Sequence, residues 1–211
     1  MGEYRQKRNY ENLNKKIFEG AGVFDIPILA PTQYETCELI AFHTCKRCEQ
    51  RDKTGVHFFL DDYQFFRLWM DIDRYVPMLQ EFRCVLTPDF SLYTDFPLAV
   101  QIYNHYRKHW VGAYLQEQGI RVIPTLSWSG QQSFEWCFDG EPVGGAVAVS
   151  SVGTQADPES KEHFMMGYQE MTKRLRPAQI LFYGTVPAGC QGNIIQIAAF
   201  QDKFRELRHG R

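Results

Sequence analysis

The sequence has no long apolar run. None of its hydrophobic stretches approaches the roughly 20 residues that a helix needs to cross a bilayer, and the charged N-terminal residues are not followed by the apolar segment of a secretory signal. Six cysteines in 211 residues are too few for a disulfide scaffold. We therefore expect a protein that does not enter the membrane, is not exported, and keeps its thiols reduced in the cytoplasm.

Neither sign of charge is in large excess. Lysine and arginine total 23 against 25 aspartate and glutamate, which gives a formal charge of −2. Such a chain has no overall field that attracts nucleic acid, so nucleic acid is not supported as a partner by net charge. The basic residues near the two ends are the remaining candidates for contact with DNA: Arg5, Lys7, Arg8, Lys15, Lys16, Lys203, Arg205, Arg208 and Arg211.

Several catalytic motifs are missing. No Gly-Lys-Ser/Thr ends a glycine-rich turn, so there is no Walker loop, and no segment has the glycine spacing of a dinucleotide-binding fold. Ser127 does not lie in a Gly-x-Ser-x-Gly elbow, which argues against a serine hydrolase. His105 and His109 share a helix face but lack the glutamate of a zincin motif, so a solvated or packed pair is expected.

What the sequence does have is a series of short apolar runs that each end in polar residues. Amphipathic stretches separate most of the runs, the clearest over residues 97–118 and 158–176. Alternation of buried strand and helix predicts an α/β fold with about five parallel strands in one sheet, either open or an incomplete (β/α) barrel. The five runs are residues 56–60, 84–86, 122–126, 146–149 and 180–182.

The first fifty residues differ from the rest. Residues 1–22 are charged and rich in asparagine, and Pro27 and Pro31 each disfavour helix in the residue before them. We interpret residues 1–50 as an irregular N-terminal arm, with a short strand near residues 38–42, and residues 51–211 as a single α/β domain. Residues 194–207 are expected to form a helix, or a strand followed by a helix.

The arm carries a small cluster of potential metal ligands. A Cys-x-x-Cys pair with two more nitrogen or sulfur donors can complete a tetrahedral zinc site. No second Cys-x-x-Cys pair follows, so structural zinc, thiol redox chemistry and ordinary reduced cysteines all remain open. The four residues are Cys37, His43, Cys45 and Cys48.

Acidic residues follow the first two runs. Asp61 and Asp62 come after residues 56–60, and Asp89 comes after residues 84–86. Ligands of α/β proteins bind at the carboxyl ends of parallel strands, so these carboxylates are the catalytic candidates. They could hold Mg²⁺ or divide acid and base roles between them. The structural alternative is helix capping by Asp61 or Asp62 and a turn at Asp89.

Hydroxyl-rich turns follow the later runs. Backbone N–H groups and hydroxyls in such turns can hold an anion, and Trp128 could stack on a base or sugar, although a tryptophan here is more often packed under a loop. The expected substrate-binding residues are Ser127, Trp128, Ser129, Ser150, Ser151 and Tyr183.

Several strings around these strand ends resemble the domain of unknown function 4417 family, which occurs in bacteria and their phages. The strings are GVHFFLDDYQF (55–65), LTPDFSLY (86–93), QIYN (101–104), VIPTLSW (122–128), SFEWCFDG (133–140) and VAVS (147–150). The resemblance spans most of residues 55–185 and implies a phage or mobile-element setting inside a bacterial host cell. It supplies no catalytic residues.

Three functions are compatible with these features. The first is an enzyme that acts on a nucleotide-like, phosphate-bearing or glycosidic small molecule at the strand ends. The second is a non-catalytic module that sequesters a nucleotide or binds a protein through the same crevice. The third is a DNA-associated protein that uses the basic ends of the chain, with binding that falls steeply with salt. The sequence does not indicate an oligomeric state.

Overall fold

The computed structural model describes residues 16–199, and the basic residues before and after this range lie outside the described residues. The fold contains nine strands and four α-helices within that range. The strands are β1 Gly20–Ala21, β2 Ile26–Pro27, β3 Glu38–Ala41, β4 Thr54–His57, β5 Cys84–Leu86, β6 Val122–Ile123, β7 Ala146–Ser150, β8 Gln179–Tyr183 and β9 Ile194–Ile197. The helices are α1 Asp62–Met70, α2 Val76–Leu79, α3 Leu98–Glu117 and α4 Pro158–Leu175.

Seven of the strands run parallel and lie in sequence order. Strands β3, β4, β5 and β6 form one sheet, and β7, β8 and β9 form a second, while β1 and β2 make a small antiparallel pair. All five predicted runs are therefore strands of the predicted direction. The predicted short strand near residue 40 is β3, and the segment after residue 194 begins as β9 rather than as a helix.

The prediction of one sheet is correct only in part, because the ladder almost breaks between β6 and β7. A single isolated bridge joins Thr125 to Ala148. Strand β6 has only two residues and Pro124 follows it, so the chain has no N–H to donate at that position. The carbonyl of Pro124 still accepts a bond of 2.8 Å from the N–H of Ala148.

The two sheets curve around a shared interior. Inward-facing side chains of six strands meet there, which is the arrangement of an incomplete barrel. No ladder joins β9 to β3 within residues 16–199, so the barrel is not closed. This interior cluster contains Tyr34, Leu39, Cys84, Leu86, Ile123, Ala146, Ala148 and Leu181, with Cys37, Phe59, Ile195 and Ile197 packed against it.

Space in this interior is tight near the amino end of β4. A Cβ atom added to Gly55 would lie 2.5 Å from Cδ2 of Leu39 and 2.7 Å from the sulfur of Cys84. The absence of a side chain at Gly55 therefore makes room for the side chains of Leu39 and Cys84 in the interior. The part of the chain that was predicted as an arm contributes β3 to the main sheet.

The helices cover the outer faces of the strands. The first, second and third helices pack on the outer faces of β4, β5 and β6 through a cluster that includes Val56, Val85, Trp69 and Trp110. Helix α4 packs on β7 and β8 through Phe164, Tyr168 and other residues of a second cluster. The two helices predicted over residues 97–118 and 158–176 are confirmed as α3 and α4, and Gly119 ends α3 with a φ of 77°. None of the described helices is both long and apolar enough to span a membrane.

Candidate functional site

The carboxyl ends of the strands form a mouth that is partly filled by aromatic rings. The ring of Tyr183, at the end of β8, lies 4.5 Å from that of Phe59 and 5.1 Å from the imidazole of His57, measured between centroids. Both partners belong to β4 and the residues after it, so the rings meet across the barrel interior. Predicted residue Tyr183 thus lies at the mouth, where His57 and Phe59 join it.

Asp62 is held by the loop that follows β5. It is the first residue of α1, and its carboxylate accepts a bond of 2.9 Å from the hydroxyl of Ser91 and one of 3.3 Å from the Ser91 N–H. Asp61 is the N-cap residue but makes no side-chain cap, and it is exposed. The structure therefore separates the two adjacent aspartates, and Asp62 is the one directed towards the loop that carries Asp89.

The carboxyl of Asp89 has a strongly perturbed pKa. Loss of solvent around the carboxyl raises its pKa from 3.8 to about 7, with the negative charge of Asp62 acting in the same direction and the nearby Lys108 opposing it. A carboxylic acid of this kind is about half protonated at neutral pH. Asp62 and Asp89 therefore form a pair in unequal surroundings at the strand ends.

Lys108 connects this pair to a buried group of charges beneath α3. Its side chain is almost fully buried, and its ammonium donates a bond of 2.8 Å to Oε1 of Glu141. The same carboxylate oxygen lies 2.9 Å from Nε2 of His109. Burial favours protonation of Glu141, but Lys108, His109 and their hydrogen bonds outweigh it and lower the pKa of the carboxyl. The cluster holds a buried, ionised glutamate.

His105 lies one helical turn before His109 and completes the group. The centroids of the two imidazole rings are 4.4 Å apart, and Nε2 of His105 lies 3.2 Å from the carbonyl oxygen of Asp139. Burial and the neighbouring Lys108 and His109 hold the pKa of His105 well below its ordinary value, so the ring is neutral. The histidine pair is packed, as expected, but it also faces a carboxylate that the sequence did not indicate.

The hydroxyl-rich turns after β6 and β7 are largely occupied by internal bonds. The Ser129 hydroxyl donates to Oε1 of Gln101 at 2.6 Å, and that of Ser151 donates to the carbonyl of Thr185 at 2.6 Å. The Ser150 hydroxyl oxygen accepts from the N–H of Val152 at 3.1 Å. The hydroxyl of Ser150 can still donate its proton, and the buried hydroxyl of Ser127 has no partner among the described residues.

Trp128 is packed against the protein. Its ring lies 5.5 Å from Phe164 and 6.3 Å from Phe138, again between centroids. A Cβ atom on Gly167 of α4 would fall 2.2 Å from its Nε1 atom, so the helix contains a glycine to admit the indole. This contact corresponds to the structural alternative rather than to a stacking surface.

The four predicted zinc ligands do not converge. Cys37 faces the interior, where its sulfur lies 3.9 Å from that of Cys84, whereas Cys45 is buried in the outer core beneath α1. His43 is exposed. Among residues 16–199, the group of three or more potential ligands with atoms within 4.8 Å of one another is His105, His109 and Glu141.

Comparison with known families agrees with the resemblance seen in the sequence. The profile of the family described as Domain of unknown function (DUF4417) matches residues 18–201. The chain belongs to this family. Residues of the mouth and of the buried charge cluster all fall inside the DUF4417 match.

Two phage proteins are similar to this DUF4417 chain. Both are described as "Gene 1 protein". The one from Mycobacterium phage L5 is 39% identical over 85% of the chain and 80% of its own length, and the one from Mycobacterium phage D29 is 40% identical over 85% of the chain and 67% of its own length. No solved structure matches the chain.

The sequence analysis of this DUF4417 domain missed the buried charge cluster and the aromatic contacts at the mouth. In the charge cluster, Lys108 left a detectable signal. Lys108 lies among residues of α3 that are buried. Because a lysine is rarely buried without an oppositely charged partner, its position indicates such a partner. Glu141 lies in the irregular segment before β7 and gave no periodic signal. His57 and Phe59 were contained in a strand run, but their contact with Tyr183 depends on barrel curvature.

Proposed function

We propose that the protein is an enzyme that transfers protons at the mouth, with Asp89 as general acid and Asp62, which accepts hydrogen bonds from Ser91, as general base. The observation that supports this proposal is the unequal pair: Asp62 accepts from Ser91, whereas the desolvated Asp89 has a pKa raised to about 7. Two carboxyl groups whose environments differ in this way commonly divide acid and base roles.

The charges around the pair favour a glycosidic substrate over a phosphate ester. Asp61, Asp62 and Asp89 give this edge negative character, and Lys108 is buried and bonded to Glu141. In the proposed reaction Asp89 donates its proton to the leaving group as the glycosidic bond breaks, and Asp62 accepts a proton from the attacking water. The rings of Phe59 and Tyr183 would lie beside a nucleoside-like base or sugar.

Magnesium at this pair is less favoured. Asp62 already accepts two bonds from Ser91, and Asp89 is partly protonated at neutral pH. Both conditions reduce the number of free carboxylate oxygens that Mg²⁺ requires. The proposal therefore assigns proton transfer, rather than metal binding, to this pair.

The test combines a binding and a turnover measurement. Native mass spectrometry of protein purified without chelator detects any retained small molecule, and nucleosides, nucleoside monophosphates, p-nitrophenyl glycosides and p-nitrophenyl phosphate serve as substrates. We expect hydrolysis of a nucleoside or glycoside, with a pH profile whose acidic group has a pKa near 7. Turnover should fall by about 10²–10⁴-fold in Asp89→Asn.

Asp61→Asn is the matched control, because Asp61 is adjacent in sequence, exposed, and not directed towards Ser91. Its turnover should equal that of the wild type. Equal activity of Asp89→Asn and wild type would contradict the acid role. If the wild type and both variants bind a small molecule but none of them turns over a substrate, the non-catalytic nucleotide-binding module would be favoured instead.

A further inference from the structure

We propose that His105, His109 and Glu141 form a buried binding site for a divalent transition metal of the zinc class. The three side chains come from two turns of α3 and from the segment before β7. One ligand atom from each lies within 4.8 Å of those of the other two, so small side-chain shifts would bring all three to one ion. This site lies apart from the mouth and does not depend on the proposed reaction.

The second nitrogen of each imidazole is already fixed by a backbone carbonyl. Nδ1 of His109 lies 2.8 Å from the carbonyl oxygen of Pro27, and Nε2 of His105 lies 3.2 Å from that of Asp139. A carbonyl oxygen can only accept, so both of these nitrogens carry protons. The other nitrogen of each neutral ring then presents a lone pair, and such carbonyl contacts are the usual outer support of metal-binding histidines.

Two of the three ligand atoms lack any other partner. Nδ1 of His105 and Oε2 of Glu141 are buried and make no hydrogen bond with the described residues. The His105 residue is 1% exposed and the Glu141 side chain is fully buried. Unsatisfied buried polar atoms are costly, and two of them within one cluster of potential metal ligands indicate a missing ligand.

Lys108 occupies only one side of the carboxylate. Its ammonium bonds to Oε1 of Glu141, which leaves Oε2 free for an ion. Without a metal, the 2.9 Å contact between Nε2 of His109 and Oε1 of Glu141 requires a proton on both nitrogens of His109. Nδ1 of His105 and Oε2 of Glu141 then have no hydrogen-bond partner. A metal bound by Nδ1 of His105, Nε2 of His109 and Oε2 of Glu141 removes both problems.

The ligand set selects the kind of metal and its role. Two imidazoles and a carboxylate suit zinc and related transition metals, whereas Mg²⁺ and Ca²⁺ prefer oxygen ligands only. All three residues are buried, so the ion would be structural. Through Pro27 and Asp139 it would connect the N-terminal segment and the segment before β7 to α3.

The first measurement is the metal content of the wild-type full-length chain, purified without chelator, by inductively coupled plasma mass spectrometry. We expect about one zinc ion per chain, the stoichiometry of a single site, with a water molecule as the fourth ligand beside the three side chains. After removal of metal with a strong chelator, titration with Co²⁺ should give the visible absorption bands of a four-coordinate nitrogen and oxygen site, without the sulfur charge-transfer band of a cysteine site. A wild-type chain that takes up neither metal overturns the proposal, whatever the variants do.

Variants then locate the ion. Glu141→Gln and His105→Gln keep size and polarity, and each should lower zinc affinity at least about 10–100-fold. His163→Gln on α4 is the matched histidine control and should keep full occupancy. Zinc retained in both ligand variants but lost in Cys48→Ala would assign the ion to the cysteine cluster and overturn the proposal.

Discussion

The two groups of potential metal ligands in this molecule differ in how closeness along the chain relates to closeness in the fold. Cys37, His43, Cys45 and Cys48 are close in sequence, yet β3 and the turn after it direct Cys37 into the barrel interior and Cys45 into the outer core. His105 and His109 lie one turn apart on α3, and Glu141, more than 30 residues later in the chain, joins them beneath that helix. Close spacing of ligand residues therefore indicates a site only when the local backbone turns their side chains towards one point.

The two groups also differ in the cost of burial. Cys45 is a neutral thiol that the protein can bury without an ionic partner, and Cys37 and Cys48 are only partly buried. The group beneath α3 buries an ammonium and a carboxylate, which require compensation. The predictions below use this difference, in order of decreasing effect.

The largest effect is expected from removal of the buried carboxylate. Glu141→Leu leaves the Lys108 ammonium without its partner, and an uncompensated buried charge destabilises a protein by about 3–5 kcal/mol. Urea unfolding followed by circular dichroism measures the loss. Glu135→Leu, at an exposed position nearby, is the control and should change stability by about 0.5 kcal/mol or less. Similar losses in both variants would show that the buried ion pair is not important for folding.

Asp89 should give a pH-dependent effect. Its folded-state pKa of about 7 exceeds the ordinary 3.8, so folding favours the protonated form. The corresponding stability is present below about pH 4 and is lost as the pH rises to about 7. At pH 8 the Asp89→Asn variant should therefore be more stable than the wild type by about 1–3 kcal/mol and unfold at a higher temperature. At pH 4 the two proteins should have similar unfolding temperatures. Thermal melts across this range provide the measurement.

The cysteines should differ sharply in reactivity. A hydrogen bond involving Cys84 is the main cause that lowers the pKa of Cys37 to about 7, whereas burial raises that of Cys45 to about 12. Iodoacetamide at pH 7.5 should alkylate Cys37 at least about tenfold faster than Cys45. Peptide mass spectrometry of timed samples measures both rates. The Cys84→Ala substitution should slow the alkylation of Cys37. An unchanged alkylation rate would show that the contact with the Cys84 sulfur does not cause the low pKa of Cys37.

The smallest effect is expected at the exposed end of the cysteine segment. His43 is exposed, so His43→Ala should alter unfolding free energy by about 0.5 kcal/mol or less and leave the metal content unchanged. Metal analysis and urea unfolding of the same preparation test both statements. A loss of zinc in this variant would reverse the comparison and restore the cysteine segment as a metal site.

Strand and helix positions were predictable because they depend on local patterns. The five apolar runs and the long periods of α3 and α4 each gave a signal within a single segment. The division into two sheets was not predicted, since it depends on how little of β6 remains before Pro124. Barrel curvature, which brings Tyr183 to Phe59, also depends on contacts between distant segments.

The site was predictable to a smaller extent. Asp62, Asp89 and Tyr183 were placed at the mouth by the rule that strand ends converge. The internal bonds of Ser129 and Ser151 could not be foreseen, because their acceptors lie in other elements. Glu141 was missed for the same reason: its partners Lys108 and His109 are far away in the chain, and no period marks its segment.

The consecutive order of the parallel strands has a consequence for synthesis on the ribosome. Within each parallel sheet, every strand after the first can add to the edge left by the strand before it, so the sheets can grow as the chain emerges. The segment around Pro27 and Leu29 is different, because Leu29 donates to the carbonyl of Gly140 and Pro27 contacts His109. This segment is made before its partners His109 and Gly140, so it cannot dock until they have been synthesised. A nascent chain is most open to proteases and chaperones while such a segment is exposed.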